Sequence, residues 1–261
     1  MKKLNINEVN VVGRLTKAFK FDHMCGGVKM YKSFVAILRD SGVEDVIPLV
    51  VTQPTFKKFS KGKFLENVNV AVTGRLSSYN EKTGERPKLL IFIKANTLEL
   101  VNKDMKHVNE INLSGYICKG INYRVTPGIK DENGKVIKKG SRITDILLAV
   151  NTKVSSINKN DEESYENKRS YYIPCIAWNK EADYASYLEV GDKIYLKGRI
   201  QSRTYTKEVY TEGDSQQKNK DNRKTEVRTA YEVSIGRMCE IVEPQENVEV
   251  ALNPLDDGFN I

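Results

Sequence analysis

Glu8-Val9-Asn10-Val11-Val12-Gly13-Arg14-Leu15 reads against Glu110-Ile111-Asn112-Leu113-Ser114-Gly115-Tyr116-Ile117. In both stretches the odd-numbered positions are apolar or glycine, the period-2 alternation of a strand with one buried face. Working outward, Val46-Ile47-Pro48-Leu49-Val50-Val51 matches Tyr172-Ile173-Pro174-Cys175-Ile176-Ala177. Val68-x-Val70-x-Val72-x-Gly74-Arg75-Leu76 then matches Leu196-x-Gly198-Arg199-Ile200. Three matched strands in the same order mark an internal repeat. The glycine falls on the buried parity in both copies, as expected where the strand bends or another backbone approaches closely.

Each copy closes on a further strand-like run, Leu89–Ile93 and Tyr231–Ile235, and a second strand is expected at Phe34–Leu38 and Ile143–Val150. The pattern predicts five strands per copy with a helix between the third and fourth. In the second copy that helix is expected over Lys180–Glu189, capped by Asn179 and ended near Gly191. In the first it shrinks to a few residues after Pro54. The second copy is longer by its polar connections, Gly128–Arg142, Asn151–Arg169 and Thr206–Val227. Asp131-Glu132-Asn133-Gly134 predicts a hairpin turn in the first of these. The other two are too polar to pack and are expected as mobile arms. The boundary between copies is expected near Val101–His107.

Length agrees with this division: 261 residues make one large or two modest domains at about 150 residues each, long enough to bury a core without disulfides. Apolar runs such as Leu49-Val50-Val51 fall far short of the ~20 residues a membrane span needs. The N-terminus starts basic but lacks the apolar stretch of a signal peptide, so a cytoplasmic protein with no membrane association is expected. Cys25, Cys118, Cys175 and Cys239 form no Cys-x-x-Cys pair and read as free thiols of a reducing compartment. His23 and His107 are the two histidines, and His23-x-Cys25 falls short of the four ligands of a zinc site, so no metal and no cofactor is expected. Neither histidine has a nucleophile motif near it, and no Walker loop or Gly-x-Gly-x-x-Gly after an apolar strand occurs. A non-enzymatic protein is expected.

The net charge of +8 is unevenly spread. Six acids and no base follow Arg237, so residues 1–237 carry +14. A basic body with an acidic tail points to a polyanionic partner for the body, although excess charge also serves plain solubility. The fourth strand of the second copy is more specific. Ile194, Leu196, Gly198 and Ile200 share one parity; Tyr195, Lys197, Arg199, Gln201, Arg203 and Tyr205 share the other. Cations interleaved with aromatics suit single-stranded nucleic acid, because cations neutralise phosphates and aromatic planes accept unpaired bases at ~1–3 kcal/mol each. A solvated amphipathic strand has the same pattern. On the third strand Tyr172, Pro174, Ile176 and Trp178 share one parity, and Ile173, Cys175 and Ala177 the other. Both are partly apolar, so parity leaves open whether Trp178 is core or surface.

Tyr172–Lys180, the run Tyr187-Leu188-Glu189-Val190-Gly191-Asp192 and Gly198–Tyr205 together resemble bacterial single-stranded DNA-binding proteins, as does Asn10–Thr16 of the first copy. The resemblance is strong over Glu110–Val242 and weaker, but ordered, over residues 8–100. It implies an all-β fold with short helices: two tandem OB-folds, each a five-stranded Greek-key barrel that grips a strand across one face. The implied units are residues 1–106, 107–242 and an acidic tail, 243–261. By position, Tyr172, Trp178 and Tyr205 match the family's base-stacking aromatics and Lys180 a nearby basic contact. Tyr195, Lys197, Arg199 and Arg203 join them as candidate DNA-binding residues. The family's second-strand aromatic is missing, with Val154 near its place. In the first copy Val46 and Thr52 stand where Tyr172 and Trp178 stand, leaving Tyr79 with Arg75 on the polar face. Residues 1–106 nevertheless carry 19 basic and 10 acidic residues. This barrel is expected to attract phosphate, stack few bases and serve mainly in assembly.

The last residues, Asn253–Ile261, resemble the family's acidic tip, which docks replication and repair proteins. Asp256, Asp257, Phe259 and Ile261 are the candidates, with Ile261 in place of a terminal aromatic. Family members with one barrel assemble four, so two per chain imply a homodimer. The implied function is coating single-stranded DNA with little sequence preference during replication, recombination or repair. A primosome-type adaptor whose barrels bind partner proteins is the alternative, favoured by the lost aromatics of the first copy. A nuclease would need a carboxylate cluster for metal, and none stands out. RNA stays open, since stacking does not read the sugar.

Overall fold

The structure, a computed structural model, describes residues 5–61, 65–81, 88–155, 166–210 and 223–241. The first copy folds as β1 (Asn7–Leu15), β2 (Lys20–Cys25), β3 (Val28–Leu38), β4 (Glu44–Thr52), α1 (Gln53–Ser60), β5 (Val68–Glu81) and β6 (Lys88–Leu100). The second folds as β7 (Val108–Ile117), β8 (Asn122–Val125), β9 (Ile129–Lys130), β10 (Val136–Lys138), β11 (Arg142–Ser155), β12 (Glu166–Trp178), α2 (Lys180–Ala185), β13 (Lys193–Tyr210) and β14 (Arg223–Glu240).

Hydrogen bonding closes each copy into a five-stranded ring. In the first, β1 pairs β3, then β4, β6 and β5 follow and lead back to β1. In the second, β7, β11, β12, β14 and β13 do the same. One pairing in each ring is parallel, β4 with β6 and β12 with β14, and the rest are antiparallel. This is the OB-type Greek-key barrel, whose closure leaves its five strands no free edge. Inward residues fill both barrels: Val9, Val11, Leu15, Leu49 and Ile93 in one, Ile111, Leu113, Ile117, Ile173 and Ile200 in the other, all at most 2% exposed.

The repeated glycines explain how the rings close. A Cβ on Gly13 or Gly115 would lie 2.5 Å from the carbonyl oxygen of Ala36 or Ala149, where the first strand crosses to the second. A Cβ on Gly74 or Gly198 would lie 2.3 Å from that of Lys94 or Ser234, where the last strand bulges by one residue, Asn96 or Gly236. Two asparagines complete the pattern. The Asn7 amide bonds the backbone N–H and C=O of Leu76 (2.8 and 2.9 Å), and Asn109 does the same at Ile200 (3.0 and 2.8 Å). Each stands in for a strand rung and satisfies backbone groups the bend would orphan.

The two barrels share one sheet, because β1 pairs antiparallel with β7. Val9 sits opposite Ile111, its own counterpart, so the repeat acquires a pseudo-twofold axis through that rung. Flanking it, β4 packs against β13 and β12 against β5. At the first of these seams Asp45, fully buried, accepts from Arg39 Nε (2.6 Å) and Nη2 (2.5 Å) and from the Ser202 N–H (2.7 Å).

Several details differ from the sequence reading. The helix of the second copy starts at Lys180 as expected but ends at Ala185, where the Ser186 hydroxyl takes up the Asp183 carbonyl and turns follow; the expected cap, Asn179, makes no side-chain capping bond and has φ 50°. The helix of the first copy is the longer one, Gln53–Ser60, with the Thr52 side chain as its cap and Lys61 in the left-handed region as its stop. The polar connections 151–169 and 206–227 are not loose over their described parts. β11 pairs β12 out to Ser155–Glu166, and β13 pairs β14 out to Tyr210–Arg223, because cross-strand pairing satisfies the backbone without a core beneath it. Residues 156–165 and 211–222 lie outside the described residues. Extra strands also appear: β2 forms a hairpin with β3, β8 adds to β11, and β9–β10 is the expected hairpin, turning at Gly134 with φ 79°.

Candidate nucleic-acid interface

The open question of the third strand resolves clearly. Tyr171, Ile173, Cys175 and Ala177 point into the barrel, which puts Tyr172 (45% exposed), Pro174 and Trp178 (39%) on the outer face. Burial pushes the Cys175 thiol far above its usual range, as an apolar interior does to any group that ionises to an anion. Trp178 and Pro174 line an open cleft of 580 Å³ with Arg124, Gln201, Arg203 and Glu232. Arg203 lies 5.7 Å from the centroid of the Tyr205 ring. Two acids face the same cleft and are both engaged: Asp145 in an ion pair with Arg124, Glu232 accepting from Gln201 at 2.8 Å. A cleft with an exposed indole, a guanidinium, one ion-paired acid and one hydrogen-bonded acid admits a flat apolar ring beside an anion.

Lys180 opens α2 as an exposed residue beside Trp178 in the chain. The remaining candidates on β13 sit elsewhere. Tyr195 donates its hydroxyl to Asn112 Oδ1 (3.1 Å), on the face where β13 pairs with β7, and Lys197 is exposed on the neighbouring rung. Arg199 is half-buried near the Arg39–Asp45 pair; burial, then Arg39, pull its pKa down, and Asp45 opposes them. These three do not line the Trp178 cleft. Gln201, read with the polar parity, is buried beneath the cleft. The tail residues Asp256, Asp257, Phe259 and Ile261 lie outside the described residues.

The first barrel departs from expectation. Val46 and Thr52 do occupy the rungs equivalent to Tyr172 and Trp178. Yet the outer face carries Tyr79 edge-on to Phe92 (5.9 Å) and Phe34 with Lys17 and Lys32 at 5.7 and 5.9 Å from its ring. Phe34, Pro48, Tyr79 and Phe92 line a cleft of 270 Å³ that Arg228 and Tyr231 of the second barrel complete. The surface is therefore aromatic as well as basic. Lys32-x-Phe34 and Phe92-x-Lys94 carry the same cation–aromatic interleaving that singled out β13. Alternation gives no signal there, because both parities of those runs are apolar. Among the described residues no group of three potential ligands stands ready for a metal, and no helix is long and apolar enough to cross a membrane.

Two linked OB-type barrels, each presenting aromatics and cations on its outer face, define a class of nucleic-acid-binding architecture. The profile of the single-strand binding protein family matches residues 108–239, and the chain belongs to that family. A single-stranded DNA-binding protein of Clostridium tetani is 30% identical over 99 residues, which are 38% of this chain and 56% of that protein. The chain thus spans about half the length of this curated relative. Two crystal structures of the single-stranded DNA-binding protein from Thermus aquaticus share the fold over nearly the whole chain. The wild type aligns with TM-score 0.61 at 17% identity, covering 92% of this chain and 95% of that one. A deletion mutant of the same Thermus aquaticus protein aligns with TM-score 0.59 at 20% identity, covering 93% and 98%.

Proposed function

We propose that the chain binds and coats single-stranded DNA with little sequence preference, without catalysis, in the cytoplasm during replication, recombination or repair. The observation that carries this reading is the outward Tyr172–Trp178 face beside Arg203 and Tyr205. Stacking on Tyr172, Trp178 and Tyr205 favours unpaired bases, since duplex bases hide their faces. Lysines and arginines of both barrels supply most of the affinity by neutralising phosphates, with the steep salt dependence that follows. Residues 1–106 and 107–242 act as two binding units, and 243–261 is the docking tail for replication and repair proteins. Two chains form a homodimer of four barrels; a sedimentation mass equal to one chain would exclude that assembly.

The test is a titration with oligo-dT at two salt concentrations, read by Trp178, the sole tryptophan. Quenching that weakens with salt and is absent with duplex DNA supports the reading. No quenching, together with no mobility shift, overturns it. The adaptor reading drew on the missing aromatics of the first barrel, and Phe34, Tyr79 and Phe92 on that face reduce its support.

A further inference from the structure

The pseudo-twofold axis makes two seams between the barrels, and they are not alike. Matching the rung Ala36–Val46 to the rung Ala149–Tyr172 makes Thr152 the counterpart of Arg39 and Tyr171 the counterpart of Asp45. Arg75 and Ser78 are the counterparts of Arg199 and Ser202 by the repeat itself. Where β4 meets β13, the Asp45 carboxylate neutralises Arg39 and lies near Arg199. Where β12 meets β5, a tyrosine stands in the carboxylate's place.

Cations nevertheless gather at this second seam. Arg75 and Lys94 face one another on a rung of β5 and β6. Arg169 lies on the rung of Thr152, its guanidinium 5.4 Å from the centroid of the Tyr171 ring. Burial first, then Arg75 and Arg169, pull the Lys94 pKa down, with the Cys25 thiol opposing. Among the described residues, no ion pair forms on Arg75, Lys94 or Arg169. Three buried side-chain polar atoms lack a hydrogen-bond partner among the described residues: Arg75 Nε, Ser77 Oγ and Thr152 Oγ1. Arg75 and Ser77 belong to β5, and Thr152 sits on β11 on the rung of Arg169. Two donor hydroxyls and a guanidinium N–H left unmet beside three unpaired cations describe a place short of one anion.

We propose that Arg75, Lys94 and Arg169 form a phosphate-binding station at the β5–β12 seam, over which one DNA strand passes from the second barrel to the first. The proposal rests on the single-stranded DNA reading above and adds that both barrels hold the same strand. The first barrel's cleft is completed by Arg228 and Tyr231 of the second, so a single strand can lie against both barrels. The DNA backbone is the phosphate source, since the three cations sit on the same two barrels whose outer faces carry the aromatics.

The experiment uses the full chain and two probes: an oligo-dT of about 10 nucleotides, within the ~4–16 that one barrel covers, and one of about 35. Affinity is measured against salt for wild type, Lys94→Gln and Arg169→Gln. On the long probe each variant is expected to lower the slope of log K against log salt by about 0.7, the loss of one phosphate contact to a single strand. On the short probe the loss of slope in Lys94→Gln is expected to be smaller than on the long probe, because a strand held by one barrel need not cross the seam. Thr152→Asp, which sets a carboxylate on the rung of Arg169, is expected to reduce the long-probe slope while raising the melting temperature, so misfolding cannot mimic the result. Unaltered long-probe slopes in these variants overturn the proposal. So does an equal change for Lys94→Gln on both probes, which would assign the cation to one barrel's grip. Failure of wild type to bind either probe would instead sink the wider reading of function.

Discussion

Removing the Arg39–Asp45 pair tests whether the two barrels are held as one body. Asp45 is fully buried and Arg39 about one-fifth exposed, and the carboxylate also accepts the Ser202 N–H across the seam. Arg39→Met leaves a buried carboxylate facing one backbone donor, which costs about 3–5 kcal/mol, the range for breaking a buried pair from one side. Asp45→Leu strands the Arg39 guanidinium near Arg199 and orphans the Ser202 N–H, a further ~1–3 kcal/mol beyond the lost pair. The double variant Arg39→Met, Asp45→Leu removes both charges and keeps only the orphaned N–H, so about 1–3 kcal/mol remains. A double-mutant cycle on these figures therefore gives a coupling of about 6 kcal/mol or more, well above the ~0.3–0.5 within which independent sites add. Urea denaturation followed by far-ultraviolet circular dichroism at pH 7 reads it. A coupling under about 0.5 kcal/mol would refute the claim that this pair is a buried unit at the seam, and an Asp45→Leu loss no larger than that of Arg39→Met would refute the bond to Ser202 as a link between the barrels.

Other outcomes follow from single groups. Trp178→Ala and Tyr172→Ala are each expected to weaken oligo-dT binding by ~1–3 kcal/mol, about 5- to 150-fold, with folding intact because both side chains already face outward; mobility shifts measure it. Asn109→Ala orphans the Ile200 N–H and C=O and costs ~1–3 kcal/mol, and Asn7→Ala matches it at Leu76, so thermal melting should find equal losses. Because burial raises the Cys175 pKa, the folded thiol keeps a proton that the unfolded one sheds above pH 9. That share of stability is complete below pH 9 and is lost as pH rises beyond it. At neutral pH exposed Cys25 and Cys239 react with a thiol reagent, while Cys175 reacts only on unfolding.

The repeat was legible because a barrel strand must alternate, and because Gly13, Gly74, Gly115 and Gly198 stand where backbone approaches backbone. The fourth-strand face was legible only in part. Parity assigned Tyr195 through Tyr205 to one side, but it takes no account of curvature, and Arg203 lines the Trp178 cleft while Tyr195 and Lys197 do not. The aromatic face of the first barrel was hidden because Phe34 and Phe92 lie in runs apolar on both parities, where alternation carries no signal. The Arg39–Asp45 pair was out of reach of pattern altogether. Its third partner is a backbone N–H at Ser202, and no composition or spacing reports a bond across a seam.

The asymmetry of the two seams is a consequence of covalent fusion. In a dimer of identical single barrels, every contact flanking the twofold axis occurs twice with the same residues. A carboxylate that neutralises one seam then neutralises the other, and a cation cluster left open at one is open at both. Joining the barrels in one chain frees position 45 from position 171. Asp45 can then lock β4 to β13 through Ser202, while Tyr171 leaves the opposite seam positive. Locking both would close the route between the barrels to a phosphate; opening both would set like charges against each other on either side of a single β1–β7 pairing. Taking the carboxylate from one seam and adding one at the other is the decisive contrast: Asp45→Tyr should loosen the barrels, whereas Thr152→Asp, opposite Arg169, should tighten them and shorten the stretch of DNA the chain covers.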